Sequence, residues 1–140
     1  MRSIIIVLLL ATSLYASSPV MQQPSATGRQ WEVYELTFND STSYPNPFWD
    51  VTIYTDFISP TGVTYKVRGF YYDAVTWKTR FAPVETGQWT FNVSYMRPQD
   101  TTTFTGSFTV ESGTSHGFIR VGPSNPNKFS YADGSSYLPI

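Results

Sequence analysis

Residues 80–95 read RFAPVETGQWTFNVSY, a charged, proline-bearing turn that settles into strict alternation of apolar and polar side chains. Alternation at period two is the mark of a strand with one face in a core and the other in water. It places Trp89, Phe91, Val93 and Tyr95 together on the inward face. Before them, Pro83 fixes the approach and Gly87 supplies a backbone free to take positive φ. Arg80 and Glu85 flank the corner at a spacing that would let them pair across it. For catalysis Glu85 would need a second carboxylate or a base nearby, and the string supplies neither. The stretch is therefore expected to be a structural corner, built from Arg80, Pro83, Glu85, Gly87 and Trp89, with Trp77–Phe81 and Gln88–Tyr95 as its paired strands.

Strand patterns recur outward from this corner. Trp31–Phe38 opens the series, after which Asn39–Phe48 is dense in turn formers. In Asp50–Phe57 the residues Val51, Ile53, Thr55 and Phe57 share one face. Ser59-Pro60-Thr61-Gly62 suits a turn. Along Thr64–Asp73 the apolar phase slips at Gly69, the signature of a bulge. Arg97–Asp100 turns the chain, and Phe104, Gly106, Phe108 and Val110 line one face of a further strand. No window carries helical periodicity. The expected fold is all-β, an immunoglobulin-like antiparallel β-sandwich of about seven strands spanning residues 31–112.

Composition says how such a sandwich is held. The 140 residues contain no cysteine, so no disulfide restrains the unfolded chain. They do contain ten phenylalanines, ten tyrosines and four tryptophans. Truncating one large core aromatic typically costs about 3–5 kcal/mol, against roughly 2–4 for losing a disulfide. Aromatic packing is a sufficient substitute.

Residues 1–16 fit a signal peptide: a basic start at Arg2, the apolar run Ile4–Ala11, and Ala16 as the small residue before a cut. The run is short for a membrane span. Export is therefore expected, to the extracellular space or a periplasm, with no membrane attachment after cleavage. Residues 17–30 read as a flexible approach segment. Without Arg2 the formal net charge moves from −1 to −2, and no basic cluster occurs, so nucleic acid finds no electrostatic handle.

The C-terminal part differs in kind. Residues 113–140 combine a linker, the extended piece HGFIRV, a Pro/Asn stretch at 123–127 that disfavours regular structure, and KFSYADGSSYLPI, which reads as a hairpin turning at Asp133-Gly134. The apolar Leu138-Pro139-Ile140 breaks off in mid-strand, which points to a longer protein.

Sites are few. His116 is the sole histidine and, with no cysteine, gives no support for a metal site or a Ser-His-Asp arrangement. Neither does the spacing of Asp50, Asp56 and Asp73 match a calcium loop. No metal, cofactor or catalytic residue is assigned. Tyr71, Tyr72 and Trp77, with Trp49 on another loop, form a candidate carbohydrate platform if exposed, or core packing if not. Asn39 and Asn92 each open a glycosylation sequon.

In order, WEVYELTF, NPFWDVTIYTDFISPTG, VRGFYYD, WKTRFAPVETGQWTF, SFTVESGTSHGFIRV and KFSYADGSSYLPI resemble one family. It is the immunoglobulin-like domain of unknown function found N-terminal to the apiosidase-like (β/α)8 barrel of secreted glycoside hydrolases. The resemblance covers residues 31–140; RFAP-x-E-x-G-x-W and F-x-YADG carry most of it. It implies a non-catalytic accessory domain, with residues 113–140 leading into a barrel whose catalytic carboxylates lie outside this sequence. The partner it implies is that barrel in the same chain, with polysaccharide as a further ligand. A free-standing carbohydrate-binding module and a structural or adhesive domain are the competing expectations.

Overall fold

A computed structural model describes residues 17–122 and 125–138. The expected signal peptide, residues 1–16, lies outside the described residues. In chain order the elements are β1 (Val20–Gln22), β2 (Thr27–Arg29), β3 (Tyr34–Asn39), the one-turn helix α1 (Pro47–Asp50), β4 (Thr52–Ile58), β5 (Thr64–Arg68), β6 (Phe70–Asp73), β7 (Thr76–Phe81), β8 (Gly87–Met96), β9 (Thr101–Glu111), β10 (Arg120–Gly122) and β11 (Asn125–Ser130).

Two sheets face each other, ordered β1-β3-β7-β6 and β2-β9-β8-β4-β5, and β10 with β11 forms a separate ribbon. The expected all-β sandwich is thus the observed fold, with nine strands among the described residues in its two main sheets. Every pairing in those sheets is antiparallel except β2 with β9. The alternating strands behave as their patterns require: Trp89, Phe91, Val93 and Tyr95 of β8 are buried, as are Val51 and Ile53, Thr55 and Phe57 of β4. Leu36 and Phe38 meet them from β3, and Trp77 from β7. The filling is largely aromatic, with Tyr34 stacked on Phe108 (ring centroids 3.8 Å apart) and Phe57 on Phe81 (4.4 Å).

Four expectations change. The approach segment 17–30 is not a loose lead-in, because β1 and β2 add to opposite sheets, Met21 opposite Phe38 and Thr27 opposite Thr109. The first long strand starts at Tyr34, since Trp31 takes a positive φ of 63°, which no strand accommodates. And β7 and β8 are not a hairpin. They belong to different sheets, so the corner between them is a crossing from one layer to the other. At the far end, residues 125–127 do enter a strand, β11, despite Pro126. The prolyl residue sits on a two-stranded ribbon, where a missing N–H is tolerated.

The phase slip at Gly69 marks a sheet switch. β5 hydrogen-bonds to β4, then the chain passes through Gly69 and continues as β6 beside β7 in the other sheet. Gly69 N donates to Ile53 O (2.9 Å). A Cβ here would stand 2.8 Å from Ile53 Cβ and 2.9 Å from Thr79 Oγ1, so only hydrogen fits between the layers. Gly69→Ala is expected to destabilise the domain by about 1–3 kcal/mol, as overpacking does, read from thermal unfolding. A variant as stable as the parent would show that the crossover has slack.

One buried feature has no precursor in the sequence pattern. The Arg97 guanidinium, its side chain 2% exposed, lies against the fully buried Asp40 carboxylate, with Nη1 3.3 Å from Oδ2. Tyr44 Oη donates to the same carboxylate at 2.6 Å, and Arg97 also donates to Asp100 and to Ser17 O.

Candidate functional site

The corner is assembled around the Trp89 ring, which is fully buried and donates Nε1–H to Glu85 O at 3.0 Å. Gly87 takes φ 118°, the conformation anticipated for it, and Pro83 is buried. Arg80 and Glu85 do not pair. The β3–β7 register sets Glu35 opposite Arg80, and Arg80 Nε donates to Glu35 Oε2 at 2.6 Å while Lys78 Nζ reaches Oε1 at 2.7 Å. Burial pushes the Glu35 carboxyl up, but the hydrogen bonds and charges of Lys78 and Arg80 outweigh it and hold it below its usual range. Glu85 instead accepts Thr61 Oγ1–H at 2.9 and 3.0 Å, tying the corner to the β4–β5 turn. A threonine hydroxyl is not the second carboxylate or base that chemistry at Glu85 would require.

From the corner, contacts run directly into the C-terminal segment. Trp31 N donates to Pro83 O (2.8 Å), Gln30 Nε2 to Val84 O (2.8 Å) and Gln30 N to Glu111 O (2.9 Å). Gly117 packs so closely on the Trp31 ring that a Cβ there would lie 2.8 Å from it, and 2.7 Å from Ala132. Trp31 thus clasps corner and tail together, a role its place in the sequence did not reveal. Beside it opens an apolar pocket of about 420 Å³, lined by Val33, Tyr65, Phe81, Ala82, Val84 and Phe118 with Arg80 at its edge. Along the tail, Ile119, Val121, Phe129 and Leu138 are exposed apolar side chains as well.

The tail does turn at Asp133-Gly134, with Gly134 N bonded to Tyr131 O and Ser130 bridged to Ser136. His116 meets a carboxylate of this turn: Nδ1 is 2.7 Å from Asp133 Oδ2 and 3.3 Å from Ser135 Oγ. Hydrogen bonds from Ser135, then His116, hold the Asp133 carboxyl down at about 2. Acid and hydroxyl both sit on the same ring nitrogen. A relay needs them on opposite nitrogens, so the trio is a turn clamp and not a nucleophile–base pair. No group of three or more His, Asp or Glu residues among the described residues is placed to hold a metal.

The four candidate sugar-contact residues differ in burial and do not form one exposed platform. Trp77 is 2% exposed and donates Nε1–H to Pro47 O, so it belongs to the core and offers no sugar a face. Tyr71 packs edge-on between Trp77 (5.3 Å) and Phe48 (4.9 Å). Tyr72 is exposed, with Lys78 Nζ 4.0 Å from its ring centre. Trp49 is 78% exposed on α1, which Asn46 caps by accepting from Phe48 N. Asn39 ends β3 half-buried, its Oδ1 accepting from Thr76, whereas Asn92 lies exposed on the outer face of β8. Among the described residues no helix is long and apolar enough to cross a membrane.

A family model described as a domain of unknown function, DUF5060, matches residues 27–96, half of the 140. The chain belongs to the DUF5060 family. The matched span of this DUF5060 chain runs from β2 through β8 and so takes in the corner and Trp31. Among solved structures it is similar to a "putative glycoside hydrolase" from Bacteroides vulgatus, at 26% identity and TM-score 0.69. That likeness covers 82% of this chain but only 22% of the Bacteroides protein. The filamin domain of Lin-41 also matches, at 14% identity and TM-score 0.52, over 71% of this chain and 97% of that one, and speaks for the immunoglobulin-like fold alone. No curated protein matches this DUF5060 chain.

Proposed function

We propose that this DUF5060 domain is a non-catalytic accessory module of an exported, glycoside-hydrolase-like protein, which packs on a (β/α)8 barrel in the same chain and stabilises or shapes it. The observation that carries this is the apolar corner pocket, with Phe118 in its lining, together with the further exposed apolar side chains of the tail. A soluble domain gains nothing by exposing Val33, Phe118, Ile119, Val121, Phe129 and Leu138 to water unless something covers them. The Trp31 clasp holds the tail on the sandwich, so whatever follows the tail is delivered beside the corner. The likeness to part of a much longer protein described as a glycoside hydrolase supports the same reading.

Hydrogen exchange tests it. The 140-residue chain is compared with the full product of its gene, and the amides of Phe118–Val121 and Phe129 are expected to exchange at least tenfold more slowly in the full product. Equal exchange, or a gene product without a barrel after residue 140, overturns the proposal.

A further inference from the structure

A second surface lies toward the other end of β7 from the corner, where the chain crosses between sheets. A pocket of about 290 Å³ opens there, lined by Phe48, Val51, Arg68, Gly69, Phe70 and Tyr71. Ligand pockets run from roughly 300 Å³ upward, so this one suits a single sugar ring of a longer polymer. Its aromatic wall is fixed from below: Tyr95, Trp77, Tyr71 and Phe48 touch in sequence, each edge-on to the next. Core packing thus presents Phe48 at 66% exposure in one orientation, and Trp49 stands beside it on α1 with its ring free. Rigid aromatic faces that are already ordered stack on ligand at little entropic cost.

The charges around the pocket are unbalanced. Arg68 makes no ion pair among the described residues. The Arg80 guanidinium lies 5.2 Å from the Phe70 ring, and Arg80 shares the single Glu35 carboxylate with Lys78. Lys66, on the same strand as Arg68, pairs with Asp56, so of the four cations on β5 and β7 Arg68 alone has no carboxylate partner among the described residues. Of the carboxylates on neighbouring elements, Asp50 accepts from Asn46 N within its own turn, and Asp73 closes the far end of β6.

We propose that this pocket binds an acidic polysaccharide, with a uronate ring flat on Phe48 and Phe70 and its carboxylate on Arg68, while Trp49 carries the neighbouring sugar. Aromatic faces take the apolar face of a pyranose; the guanidinium takes a planar carboxylate in fork geometry. The site uses none of the corner pocket or the exposed tail side chains, so it stands or falls apart from the packing function.

Calorimetric titration of the chain with a polyuronate, and with the same polymer methyl-esterified, tests this. The ester keeps the ring faces and removes the charge. The free acid is expected to bind at least tenfold more tightly, with the advantage shrinking as salt rises. Trp49→Ala and Phe48→Ala are each expected to weaken binding roughly tenfold at unchanged melting temperature. Arg68→Gln is expected to erase the preference for the free acid while residual stacking persists. No binding by the parent chain, equal binding of acid and ester, or full binding by Phe48→Ala and Arg68→Gln would overturn the proposal.

Discussion

Trp89→Ala is expected to remove about 3–5 kcal/mol of stability, a large share of the roughly 5–15 kcal/mol that a domain of this kind possesses. The side chain is fully buried, with ring centroids 5.2 Å from Phe81, 5.7 Å from Tyr65 and 6.4 Å from Phe108. It therefore joins β5, β7 and β9 across both layers from a position on β8. Alanine leaves a cavity, and it also strands Glu85 O, which accepts the indole N–H. Trp89→Phe separates the two effects. It keeps most of the ring volume but loses the donor, so its cost should fall to about 1–3 kcal/mol, that of a buried carbonyl left unpaired plus imperfect filling. Urea unfolding followed by circular dichroism reads both variants. A loss below about 1 kcal/mol in Trp89→Ala would mean that the corner is held by its backbone alone.

How much of this was readable in advance follows from how local each feature is. Strands β4, β8 and β9 alternate over seven residues or more, and alternation is a property of the string itself, so both their existence and their inward faces were legible. Strands β1 and β2 have three residues each and no apolar period; they are strands because their backbones find partners in β3 and β9. Gly69 shows the intermediate case. The phase slip was visible, but a bulge and a change of sheet produce the same slip, and only the partners of β5 and β6 tell them apart. The same ambiguity made β7 and β8 look like a hairpin. Among the candidate site residues, Trp77 could not be sorted from Trp49 by sequence, because burial depends on which layer covers a ring. Arg80 paired with Glu35, 45 positions away, in preference to Glu85 five away, because antiparallel register outranks nearness in the chain.

The Arg97–Asp40 pair spans 57 positions and was equally invisible, yet its removal should rank with the loss of Trp89. Asp40→Ala leaves the Arg97 guanidinium buried with one anionic partner, Asp100, in place of two, and is expected to cost about 3–5 kcal/mol at neutral pH. The pH dependence has a definite direction. Burial on its own would raise the Asp40 carboxyl; hydrogen bonds from Tyr44 and Thr42 and the charge of Arg97 outweigh it and hold the group below its ordinary range. A carboxyl depressed in the folded state contributes stability above its unfolded value, near pH 3.9, and that contribution is lost as the pH falls through the folded value. Stability of the parent chain should therefore decline on acidification below about pH 4. In Asp40→Asn the decline should be shallower but not abolished, since Glu35, Asp100 and Asp133 are depressed as well. Replacing both partners, Asp40→Leu with Arg97→Met, should recover part of the loss because no uncompensated charge then remains inside. A double-mutant cycle with coupling near zero, or an acid limb unchanged in Asp40→Asn, would show that the carboxylate is solvated in solution and that the buried pair does not hold the β3 end to the β8–β9 turn.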